Sequence, residues 1–527
     1  MDLILLDSII NAGIRDYEKD INHDRVYRIH KYWSRKPWSS ISFHINKYSN
    51  KGDLVCDPFL GSGVMGLESI LNGRDFVGYD INPISLFISE MTLKSDYEFT
   101  KMDDDLCRVK DFINKEIHPL YVSSQKCPIC DNSLTFKSVN DGKAFESYSG
   151  RAFCTECGFE DKKNNLQFSQ KDIDHIESFK HSNIEDWVPN DRFPEKFYKD
   201  RFSYKGVKKV TDLHTKRNLL ALSKLREEIE FGNYFYKDLL MIAFSNTILH
   251  ATKLKGANVR PLGVNNYWIP DDHIEENVGF RFIDRLKIAI RSKEALSKIS
   301  NNKELGKYSI QKKSALQSKT KLFDYIITDP PYGDAIQYSE LSFVWNAWLM
   351  ESMDNSEEVI VNPVQDKGSK EFHNLLAKSL ENIYDSLKKD KYFTLCFQNK
   401  NLGTWHEVIN TCKELGLQLI DVEVFDTLGN TFNKNWAKYS PKSDIYVTFQ
   451  KSSLNKLDLE SDIYNESDIE EVVSQIIIYC KKNHPELIES NFLYDVIVSY
   501  IIWHIFRCKK LANVNISLKN IISKFVD

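Results

Sequence analysis

Apolar and polar positions along the chain form two separated patterns of the same kind. In the first, the short apolar run Asp53–Asp57 predicts a buried strand, Gly61-Ser62-Gly63 a turn, Val64–Leu71 a helix and Phe76–Asp80 a second strand. Strand, glycine turn, helix and strand in that order make half of a doubly wound α/β unit. The pattern resumes past residue 319. Phe323–Thr328 reads as a buried strand, with Tyr325-Ile326-Ile327 as its apolar centre. Tyr392–Phe397, Leu417–Phe425 and Asp444–Phe449 predict further strands, with helical spacing at 339–350, 373–389 and 404–415 between them.

These patterns predict an α/β protein whose single Rossmann-like sheet is built from residues 1–98 and 319–451. An insertion at 99–318, roughly 220 residues and so of domain size, would split it. Two unrelated domains are the alternative, but the second half has no glycine turn of its own. Apolar helical spacing at 468–481 and 492–507 predicts a C-terminal helical appendage over 452–527.

Composition changes this picture little. With 42% hydrophobic and 28% charged residues, the 527-residue chain reads as globular. No apolar run reaches the ~18 residues that suggest a membrane span. Met1–Asp7 sets acids on either side of a very short apolar stretch and lacks the features of a signal peptide, so a cytoplasmic protein is expected. A net charge of −5 excludes a uniformly basic coat. Locally, Lys196–Arg217 holds eight Lys or Arg against two Asp, interleaved with Phe197, Tyr198, Phe202 and Tyr204. That stretch reads either as a phosphate-contacting segment or as a solvated face. The acidic stretch 453–471 reads as a solvated linker.

The chemistry gathers at two strand ends. Asp57-Pro58-Phe59-Leu60-Gly61-Ser62-Gly63 follows the first strand, and its glycines permit a tight turn and close ligand approach. An acid just before the glycines is unwelcoming to phosphate but suits a cation, such as the methionine end of S-adenosylmethionine. Asp80, 17 residues after Gly63, ends the next strand where a carboxylate can accept hydrogen bonds from a ribose. Asn82 and Pro83 follow it.

Asp329-Pro330-Pro331-Tyr332 follows the strand Tyr325–Thr328. Its prolines stiffen the loop and leave carbonyls as acceptors. An exocyclic amine is a weak nucleophile because its lone pair is delocalised into the ring. The Asp329 carboxylate and the Pro330 carbonyl can take its two hydrogens, while Tyr332 stacks on a base already turned out of its helix. No cysteine nucleophile is needed, and Cys127-Pro128 belongs to a different constellation.

His30-Lys31-Tyr32-Trp33-Ser34-Arg35-Lys36-Pro37-Trp38, the Asp57–Gly63 turn and the Asp329–Tyr332 box together resemble the amino-group DNA methyltransferases. More narrowly they resemble the large adenine-specific methylases, whose box runs on into a tyrosine-serine-helix segment, here Ile336–Ser342. Leu395–Lys400 and Leu213–Asn218 resemble that family's late strand and mid-chain helix start. The likeness covers 23–450 in patches. It implies a class I methyltransferase sheet with α-type motif order, target recognition in the insertion, and double-stranded DNA as substrate. Lys36 and Pro37 are implied to lie near the cofactor's methionine end, although by composition 30–38 also reads as a basic surface stretch. A cognate restriction endonuclease or other defence-system subunits are the implied partners. Gly333-Asp334 departs from the family, which often carries a bulky aromatic there. The rival readings are an RNA guanine-N2 methyltransferase, a DNA cytosine-N4 methyltransferase, and a non-catalytic DNA-binding subunit. An aspartate opening the box favours adenine over cytosine.

Of ten cysteines, four form two C-x-x-C pairs, Cys127/Cys130 and Cys154/Cys157, with 23 residues between the pairs. Two such knuckles suit a tetrahedral structural zinc in a ribbon at about 122–162. Redox-active thiols are the alternative.

Overall fold

The computed structural model describes residues 1–142, 149–161, 166–198, 206–256, 259–262, 267–317, 321–426, 443–452, 466–488, 490, 492–507 and 517–526. In chain order its strands are β1 (Leu54–Asp57), β2 (Asp75–Asp80), β3 (Val122–Lys126), β4 (Ser133–Gly142), β5 (Ser149–Phe153), β6 (Leu166–Gln167), β7 (Asp272–Glu276), β8 (Tyr308–Lys312), β9 (Phe323–Thr328), β10 (Leu387–Phe397), β11 (Leu417–Asp426) and β12 (Ser443–Lys451).

Seven of them form one sheet in the order β11-β12-β10-β9-β1-β2-β8. The pairs β8–β2, β2–β1, β1–β9 and β9–β10 are parallel, and only β12 runs against its neighbours. The central β9 is buried at all six positions, Asp324 and Thr328 included. The pleat sends alternate side chains to opposite faces. Cys56, Val77 and Ile326 meet one core. Val55, Phe76, Tyr325 and Ile327 meet the other, under the helices Trp38–Tyr48 and Val64–Leu71.

A smaller antiparallel sheet, β3-β4-β5-β6 with β7 paired to β4, carries the cysteine pairs. A third core gathers the helices of the middle region, among them Lys216–Phe231, Lys237–Ile248 and Val278–Ser300.

The structure corrects two expectations. The stretch read as the insertion, 99–318, contains β8, which is the edge strand of the large sheet. The sheet therefore resumes at Tyr308. Its sequence Tyr-Ser-Ile-Gln-Lys is polar at exposed positions, as an edge strand should be, and offers no apolar run to read. The C-terminal helices are not an appendage either. Glu466–Asn483 and Phe492–Arg507 share the sheet's own core with β10, β11 and β12, and Leu6 and Ile9 of the helix Leu3–Ala12 join them. Arg507 pairs with Asp2 at 2.7 Å. No helix among the described residues is long and apolar enough to cross a membrane.

Candidate active site

β1, β2 and β9 lie side by side and parallel, so their carboxyl ends open at one edge of the sheet. Asp57 closes β1 completely buried. Its Oδ1 accepts from Thr328 Oγ1 at 2.6 Å and from the Phe59 amide at 3.0 Å. Oδ2 is buried without a hydrogen-bond partner. Burial pushes this carboxyl up to about 7 against the pull of those two donors. Asp80 accepts from the amides of Gly61 at 2.9 Å and Asn82 at 2.8 Å. Burial raises it to about 6, again against its donors.

The two glycines of the turn differ in what they permit. Gly61, at φ +55°, lies under Tyr32, whose ring would sit 3.2 Å from an added Cβ. Gly63, at φ +79°, caps the helix Val64–Leu71 and faces Ser89 and Leu93, each 3.0 Å from an added Cβ. Gly63 thus serves helix packing.

The segment 27–36 folds over this turn. Arg35 pins it, donating to the carbonyls of Tyr27 and, at 2.9 Å, His30, and to Ser62 Oγ at 3.2 Å. Tyr32 hydroxyl lies 3.1 Å from Ser85 Oγ. Lys36 follows, only 6% exposed. Its ammonium sits 2.6 Å from Asp444 Oδ1 and 3.7 Å from Asp329 Oδ2, and 5.1 Å from the centre of the Tyr332 ring. Burial opposes the charge, but the two carboxylates prevail and hold Lys36 well above the ordinary lysine range. Pro37 caps the helix Trp38–Tyr48, and its carbonyl accepts from Ser40 Oγ.

Asp329 is the more open acid, its side chain 20% exposed. The Tyr332 hydroxyl donates to its Oδ1. Burial raises Asp329 to about 6, with Lys36 and Tyr332 pulling the other way. The Tyr332 ring meets Phe397 edge-on at 5.2 Å, and Asn399 holds its carbonyl at 3.3 Å. The following Gly333 takes φ +89°, and its carbonyl accepts from the Val361 amide. Beyond it, the helix Tyr338–Trp348 is tied back to the cofactor half. Asn82 donates to Ser342 at 3.0 Å, and Asn346 donates to Asn82 at 3.1 Å.

One cleft joins these parts. Of the residues expected from the sequence, Lys36, Pro58, Phe59, Gly61, Asp80, Asn82, Asp329 and Pro331 line it. Pro37, Asp57, Gly63, Pro330 and Tyr332 stand outside its lining. The cleft also presents Tyr32, Ser85, Tyr338 and Glu358, which the sequence reading did not select. Glu358 accepts from the amide and hydroxyl of Ser339 at 2.9 and 2.6 Å. Asp444, the partner of Lys36, was read only as the start of a strand. An acid opening an otherwise apolar buried strand was the signal available.

The four cysteine sulfurs lie within 4.8 Å of one another, with Cys127–Cys157 at 3.5 Å and Cys130–Cys154 at 3.4 Å. A tetrahedral zinc with Zn–S of ~2.3 Å sets sulfurs about 3.8 Å apart, so the cluster has the right size and donor chemistry. Positive φ at Asp131 and Gly158 closes the two knuckles. In the basic segment, residues 199–205, with Phe202 and Tyr204, lie outside the described residues, as does most of 453–471. Phe197 packs among Phe193, Tyr267 and Phe343. Arg217 is buried in a two-pronged pair with Glu275 at 2.9 and 2.8 Å, a structural role.

Residues 10–89 match a family model described as DNA methylase. The Type II methyltransferase M.MjaII of Methanocaldococcus jannaschii is 30% identical over 90 residues, 17% of this chain and 16% of that protein. The orphan methyltransferase M.BamHII of Bacillus amyloliquefaciens is 40% identical over 52 residues, 10% of this chain and 20% of that protein. The chain thus spans a fifth or less of the length of these curated relatives. Among solved structures, the rRNA methyltransferase aviRa from Streptomyces viridochromogenes aligns over 82% of this chain and 94% of its own, at 8% identity and a TM-score of 0.27.

Proposed function

We propose that this protein transfers the methyl group of S-adenosylmethionine to the exocyclic N6 of adenine in double-stranded DNA. The reading is carried by the juxtaposition of Asp329 and the Asp57–Gly63 turn around one cleft. The DNA methylase match over residues 10–89 supports it from the cofactor half.

S-adenosylmethionine supplies a sulfonium methyl open to attack by a neutral amine. Asp80 lines the cleft with both oxygens held by amides, each with a lone pair left for a ribose hydroxyl. Asp57 keeps a buried, unpartnered oxygen behind the turn, favourable to a nearby cation. The flipped adenine brings its amino group to Asp329 and the Pro330 carbonyl. As the N–C bond would form and the S–CH3 bond break, leaving a neutral thioether, the carboxylate stabilises the positive charge developing on nitrogen, and one N–H proton would then pass by way of Asp329 to solvent. Lys36 and Tyr332 keep Asp329 oriented and ionised near neutral pH. The Cys127, Cys130, Cys154 and Cys157 cluster is assigned a structural zinc.

Labelled methyl from S-adenosylmethionine is offered to DNA and RNA, and the modified nucleosides are identified by mass. N6-methyladenine in DNA is expected. N4-methylcytosine would move the target base, and methylated guanosine in RNA with nothing in DNA would overturn the reading. Metal analysis should return one zinc per chain, lost in Cys154→Ser.

A further inference from the structure

A second, larger cleft of about 1120 Å³ lies on the other side of the segment that covers the glycine turn. Nine of the residues lining it are Lys or Arg, and Glu294 is its only acid. The chain as a whole carries −5, so this concentration runs against its average. Three pieces of chain supply the charge. Arg25 and Arg28 come from the helix Ile21–Val26 and the turn after it, Arg260 from the segment before Pro261, and Arg291 from the helix Val278–Ser300. All four are exposed, and no described carboxylate pairs with them.

The neighbouring acids are already committed. Glu276 pairs with Arg281 at 2.6 Å, and Asp284 with Arg285 at 2.5 Å. The walls are also fixed to one another. Ser292 Oγ donates to the Val26 carbonyl at 2.6 Å. Lys31 Nζ donates to the carbonyls of Pro261 and Leu262 at 3.1 and 3.3 Å. A rigid, open, cationic trough in which nine cationic side chains face the single acid Glu294 suits a polyanion larger than a nucleotide. Burial, reinforced by the charges of Arg35, Lys31 and Arg285, holds His30 in its wall down to about 4.

We infer that this trough seats the sugar-phosphate backbone of duplex DNA, with Arg25, Arg28, Arg260 and Arg291 as phosphate contacts. The inference rests on the proposed function. Arg35 lines both clefts, so backbone held in the trough lies one loop away from the methyl-transfer cleft. These contacts carry no sequence information and set only affinity and position.

The test uses the full chain and a random-sequence duplex, read by fluorescence anisotropy from 50 to 300 mM salt, with a combined Arg25→Gln, Arg28→Gln, Arg260→Gln and Arg291→Gln variant. Each phosphate contact contributes about 0.9 to the slope of log K against log salt, so losing four should flatten it by about 3.6. At 0.1 M salt this corresponds to about an eightfold loss of affinity per arginine. S-adenosylmethionine affinity and melting temperature should stay at wild-type values, which separates a lost contact from a lost fold. If the variant melts early, the four single substitutions are measured instead. They should each lower the slope by about 0.9. An unchanged slope, or a loss confined to duplex RNA, overturns the inference while leaving DNA methylation by the wild type intact. Absence of methyl transfer to DNA by a wild type whose trough variant still loses DNA would overturn the function and keep the surface.

Discussion

Asp57-Pro58 ends β1 and Asp329-Pro330 ends β9, two parallel strands side by side. The same dipeptide in the same topological place meets two environments. In the register Cys56 lies opposite Ile326, so Asp57 is one residue past the pair and Asp329 three. Likewise Asp57 lies opposite Gly78 on the other side, which leaves Asp80 two residues further out. The recessed acid is buried and braces two strands through Thr328. The two projecting acids line the cleft. A shift of two residues, one full pleat repeat, keeps the side chain on the same face and moves it by about 6–7 Å. That displacement separates a carboxylate sealed between strands from two that reach the cleft.

Four substitutions break or sharpen this contrast. Asp329→Ala should lower kcat by about 10³-fold with donor affinity retained, measured by single-turnover transfer and calorimetry. Loss of donor binding instead would erase the distinction between the two acids. Lys36→Met should lower kcat by about 10²-fold and move the pH dependence. Activity of the wild type should rise with pH through about 6 as Asp329 ionises. Removing the cation that favours the carboxylate must shift that break upward, and a break that stays in place would argue against the pairing.

Asp57→Asn should weaken donor binding by about tenfold, ~1.4 kcal/mol, with kcat little changed. Its stability effect has a definite sign. Asp57 is raised from 3.8 to about 7 in the folded state, so ionising it costs stability progressively as pH rises between those values. The Asn variant should therefore gain more in melting temperature at pH 8 than at pH 5. A gain that shrinks with pH would contradict the burial of this carboxyl. With the smallest effect on turnover of the four, Gly63→Ala should leave the chemical step alone and cost about 1–3 kcal/mol of stability by denaturant titration, from crowding against Ser89 and Leu93.

The legible parts of the fold were those where burial leaves a mark on composition. β1, β2 and β9 are short apolar runs closed by Asp, and their sequence resists other readings. β10 was read from Tyr392, whereas it starts at Leu387, because Lys388, Lys389 and Asp390 continue the preceding helix's polarity. β8 left no mark, since an exposed edge needs few apolar residues. In the site, Lys36, Asp80 and Asp329 were reachable from strand ends and resemblance. Asp444 stood out as an acid opening a buried strand, but its role was hidden, because what defines it is a contact with Lys36, 408 positions away. The orientation of Tyr332 was hidden for a similar reason. Its ring is claimed by Asp329, Phe397 and Lys36, while the expectation of base stacking considered only its place in the box.

The order of the large sheet also sets a timetable for synthesis. β1 and β2 emerge together, but β8 and β9, which flank that pair, start at Tyr308 and Phe323. Between Asp80 and Tyr308 lie 227 residues. At ~5–20 residues per second a ribosome needs about 11–45 s to make them. For that interval the first two strands have two bare edges and no partner, while the cysteine-bearing sheet and the helices of the middle region have their own local contacts to form. A mutation that slows the middle region will lengthen the exposure of the early strands. Aggregation during expression is then expected to track the folding rate of the middle region more closely than the final stability of the sheet.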